Sequence, residues 1–97
     1  MIVAFDVDGI LIDDEDQPRW PIIDMLRAFH ALGWETWVWS GGGDDYARMW
    51  VNRLGLAPFV TRIAHKTHDG LEWPDVAVDD ERATLGLMNL WLPLRPL

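Results

Sequence analysis

The chain has no cysteine and only one lysine, Lys66, in 97 residues. Without cysteine there are no disulfides, no zinc–thiolate sites and no cysteine nucleophile. Basic residues are scarce altogether. Eight Lys and Arg stand against 16 Asp and Glu, for a formal net charge of −8. Such a chain repels nucleic acid and acidic membrane surfaces on average. Long apolar runs are missing too, and none reaches the roughly 18 residues of a membrane span. The first residues meet Asp6 too early, and lack the basic leader, to be a signal peptide. A cytoplasmic protein with no membrane partner is expected.

What remains is apolar and aromatic. Hydrophobic residues make up 49% of the chain, with seven tryptophans. That suffices for one small core, so residues 1–97 are read as a single domain. Nine of the 16 acids fall in three clusters: Asp6/Asp8, Asp13-Asp14-Glu15-Asp16 and Asp79-Asp80-Glu81. The middle cluster reads as a solvated loop. The other two each follow an apolar run, and clustered carboxylates can hold a hard cation such as Mg²⁺.

Residues 2–7 are apolar and end in acids, as a buried parallel strand does. Residues 9–20, with Pro18 and the four-acid run, read as a polar loop or hairpin. Pro21 opens a helix to about residue 32, with Ile22, Met25, Leu26, Phe29 and Leu32 on one stripe and Gly33 after its end. Residues 34–39 are a second strand, rich in Trp, Thr and Val. Ser40 to Gly43 form a loop, and Asp44 is placed as the cap of a helix over 45–54, closed by Gly55. A third strand is expected over 59–64. Residues 65–74 read as a loop with a turn at Asp69-Gly70. A fourth strand follows over 75–78, then a short helix over 81–87. The tail, 89–97, suits a last strand or an ordered extension.

This order implies an α/β fold: a Rossmann-like parallel sheet in three layers, with helices on both faces. Ligands of such sheets bind at the carboxyl ends of the strands. Asp6/Asp8, Ser40 and Asp79/Asp80 all fall at expected carboxyl ends. In a strand Asp6 and Asp8 face the same side, and two such carboxylates repel unless a cation intervenes. Gly9 lets the backbone turn sharply after them. Lys66 is set apart as the one lysine among seven arginines, where a compact point charge is retained. His65 and His68 read as solvated, His30 as a partner of its helix C-terminus, and most tryptophans as core. Trp20 and Trp73 are candidates to border the site and stack on a flat group.

Together these residues resemble the haloacid dehalogenase (HAD) superfamily of phosphatases. Val3-Ala4-Phe5-Asp6-Val7-Asp8-Gly9-Ile10 is similar to that family's first motif, with Ile10 where Thr or Val is usual. Ser40-Gly41 closes the next strand as the second motif does, Lys66 matches the third, and Asp79-Asp80 the fourth. The four occur in order over most of the chain. The resemblance implies a magnesium-dependent phosphohydrolase acting on a phosphate monoester. By it, Asp6 is the nucleophile and Asp8 the acid and then the base. Ser40, Gly41 and Gly9 bind phosphate with Lys66, which neutralises charge. Mg²⁺ is held by Asp6, the Asp8 carbonyl, Asp80 directly and Asp79 through water.

Between Gly9 and Pro21 there is room for a flap but not for a cap domain, and 40–66 is filled by one helix and one strand. The chain therefore resembles a capless member. An open site suits a phosphoprotein or a nucleic-acid end, or a small ester enclosed by a partner subunit. Arg19, Arg48 and Arg62 are candidates for a local basic patch, although the overall charge opposes nucleic acid. Leu and Trp in the tail suit core packing or a homo-oligomer equally. Two other readings compete: a receiver-like phosphoaspartyl signalling domain and a catalytically inert module of the same fold. Asp8, two residues from the nucleophile, favours turnover over the first. The complete motif set speaks against the second.

Overall fold

The structure is a computed structural model that describes residues 1–67 and 73–94. Five strands form one parallel sheet: β1 (Ile2–Asp6), β2 (Glu35–Ser40), β3 (Arg62–His65), β4 (Val76–Asp79) and β5 (Met88–Trp91). Their spatial order is β3-β2-β1-β4-β5. Two helices, α1 (Trp20–Ala31) and α2 (Asp44–Arg53), and a 3₁₀ turn (Ala57–Phe59) complete the regular elements. Among the described residues no helix is long and apolar enough to cross a membrane.

The topology decides where a ligand can sit. The chain steps from β1 to β2 to β3 in one direction, then restarts on the other side of β1 with β4 and β5. Ala4 pairs with Trp37 of β2 on one side and with Ala77 of β4 on the other. The order therefore reverses beside β1, and such a switch point leaves a crevice at the strand carboxyl ends. Asp6 ends β1 and Asp79 ends β4, so both stand on this crevice.

Alternation along the strands sorts the core into two faces. Val3, Phe5, Val38, Val76 and Val78 point to one face, where they meet Ile22, Ile23 and Leu26 of α1 and Ala47, Trp50 and Val51 of α2. Ala4, Trp37, Trp39 and Ala77 point to the other, where they meet Leu85 and Ala83. Both helices thus lie on one face, and among the described residues the other carries none. The handedness of crossovers explains this: two successive right-handed steps in one direction put both helices on the same side.

The helix expected over 81–87 is replaced by an extended crossover. Its backbone is committed elsewhere: Glu81 N–H donates to Asp79 Oδ1 at 3.0 Å, and the Asn89 side chain accepts from Leu85 N–H and Gly86 N–H at 2.8 and 3.1 Å. Gly86 also passes so close to Pro74 that an added Cβ would lie 2.9 Å from its carbonyl oxygen. The tail resolves as a strand, β5, whose Leu90 pairs with Val78.

Smaller shifts have local causes. The strand expected over 59–64 begins at Arg62, because Pro58 and Phe59 lie in the 3₁₀ turn. α2 begins at Asp44 itself, with Gly43 as its N-cap. Gly33 follows α1 as expected, at φ +86°. Residues 9–20 are not a wholly polar loop. Ile10, Leu11 and Ile12 are fully buried against the helix face, each worth roughly 1.5–3 kcal/mol of burial. The Asp69-Gly70 turn and His68 lie outside the described residues.

Candidate active site

Parallel pairing brings together residues from four places in the chain. Lys66 follows β3, and its N–H donates to the Ser40 carbonyl at 2.8 Å. From there its side chain runs back under the strand ends, where only 9% of it is exposed. Lys66 Nζ lies 3.1 Å from Asp79 Oδ2 and 3.5 Å from Asp6 Oδ1. One carboxylate oxygen from each of Asp6, Asp79 and Asp80 falls within 4.8 Å of the others. A cavity of about 300 Å³ opens above them, lined by Asp6, Asp8, Ser40, Gly41, Gly42, Lys66, Asp80 and Glu81.

Three clustered carboxylates, two of them paired with one ammonium, leave negative charge in excess, and the acid strengths show it. The Asp6 carboxyl is pushed up to about 7, by burial first and then by Asp79, against the opposing pull of Lys66 and of the Val7 N–H. Asp80 is also raised, by burial and by its hydrogen bond with Asp79. Burial alone would weaken the charge on Lys66, but Asp6 and Asp79 outweigh it and hold its ammonium above the usual range. Asp79 spends both oxygens within the protein, Oδ2 on Lys66 and Oδ1 on the Glu81 N–H. A small divalent cation with oxygen ligands fits this set, since it supplies the missing positive charge beside Asp6 and Asp80.

Asp8 behaves differently from its neighbour in the motif. β1 ends at Asp6, so strand alternation no longer governs Asp8. Its side chain is exposed, and its carboxylate is not one of the three clustered together. Instead Asp8 Oδ1 accepts a hydrogen bond of 2.8 Å from the Tyr46 hydroxyl. The carboxylates that crowd Asp6 are thus Asp79 and Asp80, not Asp8 as the spacing suggests. Burial and the bond to Asp8 raise the Tyr46 hydroxyl, so it stays a donor.

The backbone around the site is tied from several sides. Gly9 has φ +80°, and a Cβ there would come within 2.5 Å of Asp80 Cγ. Only glycine lets the two acidic loops approach so closely. Arg19 donates to the Gly9 carbonyl and Trp91 Nε1 to the Asp80 carbonyl. Ser40 is buried, and its Oγ accepts from Gly42 N–H at 3.0 Å, which folds the glycine loop over the strand end.

All eight residues singled out from the sequence lie at this strand edge: Asp6, Asp8, Gly9, Ser40, Gly41, Lys66, Asp79 and Asp80. Trp20 and Trp73 do not line the cavity. Arg19 and Arg62 are engaged locally, Arg19 with Gly9 and Arg62 over the Trp37 ring at 4.7 Å. Three contributors escape sequence reasoning: Tyr46, Gly42 and Trp91. Tyr46 carried one weak signal, as the chain's single tyrosine placed just after a glycine loop. No family model, curated protein or solved structure matches the chain, so the chemistry of the site rests on the residues just described.

Proposed function

We propose that the protein is a magnesium-dependent phosphohydrolase that forms an aspartyl-phosphate on Asp6, in the manner of the haloacid dehalogenase phosphatases it resembles. The observation that carries this reading is the buried Lys66 ammonium between Asp6 and Asp79, with Asp80 alongside, at adjacent parallel strand ends. The absence of a helix over 81–87 and a sheet face without a helix among the described residues depart from a three-layer HAD-like fold, but they leave this edge intact.

The residues divide the work by position. Asp6 attacks the phosphorus of a phosphate monoester, and the ester oxygen departs with a proton from Asp8. Asp8 then takes a proton from water, whose oxygen attacks the same phosphorus and releases Asp6 and inorganic phosphate. Lys66 offsets charge on Asp6 and the phosphoryl oxygens, and Ser40 and Gly41 line the same cavity. Asp6, Asp80 and the Asp8 carbonyl would hold Mg²⁺, which offsets the carboxylate charge and draws charge from a phosphoryl oxygen. Asp79, with both oxygens engaged, is left to act through water.

Among the described residues no cap domain covers the cavity. That suits a phosphoprotein, a nucleic-acid end, or a small ester closed over by a second subunit. Turnover of p-nitrophenyl phosphate with Mg²⁺, lost with EDTA and reduced at least about 10³-fold in Asp6→Asn, is the expected result. No turnover across a broad panel of phosphate esters would overturn the reading. A stable phospho-adduct without turnover would replace it with a signalling role.

A further inference from the structure

Of Asp6, Asp8, Asp79 and Asp80, Asp8 is the exposed one, and a proton-transferring group must be held in one orientation to work. The described side-chain contact that holds it comes from α2. Tyr46 sits in the first turn of that helix, which is anchored in the core by Ala47, Trp50 and Val51. Its hydroxyl donates to Asp8 Oδ1 at 2.8 Å. Its ring lies against the glycine loop: a Cβ on Gly42 would lie 3.3 Å from Tyr46 Cδ2 and 3.4 Å from Ser40 Oγ. The Gly42 N–H is itself fixed on Ser40 Oγ. Tyr46 thus forms a strut from a buried helix, across the glycine loop, to the carboxyl group at the mouth.

We infer that Tyr46 is the positioning residue for Asp8: by fixing Oδ1, its hydroxyl leaves Oδ2 directed to the ester oxygen and later to water. This inference rests on the hydrolase reading for its catalytic consequence, but not for its structural one. The small residue at position 42 belongs to the same device, because a side chain there would press on the ring.

Tyr46→Phe keeps the ring and removes only the donor. Two measurements follow. In the first, kcat/KM is compared for an alkyl phosphate and for p-nitrophenyl phosphate with Mg²⁺. This ratio reports steps through departure of the leaving group. An alkoxide needs the proton of Asp8 and nitrophenolate does not. The variant should therefore lose about tenfold on the alkyl ester and less than about twofold on the aryl ester. Equal losses on both would mark a merely structural role and overturn the inference. In the second, NMR three-bond couplings give the χ1 populations of Asp8 in the metal-free protein. One rotamer is expected in the wild type and averaging in Tyr46→Phe. A single unchanged rotamer in the variant overturns the inference even if the protein is an active phosphatase. A wild type without turnover overturns the hydrolase reading instead, and the couplings still decide what holds Asp8.

Discussion

Two groups of acids in this chain have opposite fates. Asp13 to Asp16 are consecutive and form a surface loop, where Asp13 Oδ1 accepts the N–H groups of Glu15 and Gln17 at 2.9 Å each. Asp6 stands more than seventy positions from Asp79 and Asp80, yet one oxygen of each falls within 4.8 Å of the others. Water screens the first group, so density along the chain has little effect there. The second group is taken out of water, and its crowding appears as a raised Asp6 and a raised Asp80. The difference teaches that charge becomes chemically useful where folding removes solvent from it, not where the sequence packs it most closely.

The sharpest way to break this contrast is to remove the cation of the buried group. Lys66→Met should destabilise the metal-free protein by about 3–5 kcal/mol near pH 8, because it leaves buried carboxylates without a partner. The loss should shrink near pH 5, where Asp6 takes up a proton. Chemical denaturation at both pH values measures it. An equal loss at both would show that Lys66 contributes packing rather than charge.

The next effect comes from pH alone. Asp6 titrates near 7 in the folded protein and near 3.8 when unfolded, so folding favours its protonated form. The stability this contributes is fully present below about pH 4 and is lost as pH rises through 7. In EDTA the melting temperature should therefore fall by several degrees between pH 5 and 8. Added Mg²⁺ should restore most of it at pH 8 and little at pH 5. Asp6→Asn should flatten the dependence, and a slope unchanged in that variant would assign the titration to another group.

The exposed loop should respond weakly. Asp13→Ala removes the acceptor of two backbone N–H groups and should cost about 1 kcal/mol, with little dependence on Mg²⁺. Glu15→Gln, a fully solvated change two residues away, should stay within about 0.5 kcal/mol. Thermal melts of the two variants side by side give the comparison. A large Mg²⁺-dependent effect of either would join the loop to the site.

Much of the fold was legible because its signals are local. The apolar stripe and Gly33 mark α1, and the Trp-, Thr- and Val-rich run marks β2. Other features were hidden because they depend on partners distant in sequence. Residues 81–87 have the composition of a short helix, but Asn89 and Asp79 take up their backbone groups. Ile10, Leu11 and Ile12 look like part of a polar loop until the turn after Asp8 folds them under the helices. Tyr46 has no motif around it, and only the packing of α2 on β2 and β3 points it to Asp8.

Taken alone, the sequence determined the succession of strands and helices from β1 to β4 and the acids that end β1 and β4, since both follow from hydrophobic pattern and chain order. It also marked Lys66 by its rarity. The tertiary structure decided which face the helices cover, which carboxylates crowd Asp6, and what holds Asp8. Those outcomes depend on strand order and on desolvation. Neither is encoded in any short stretch of residues, because each arises only when β1 is placed between β2 and β4 and water is excluded from the edge they share.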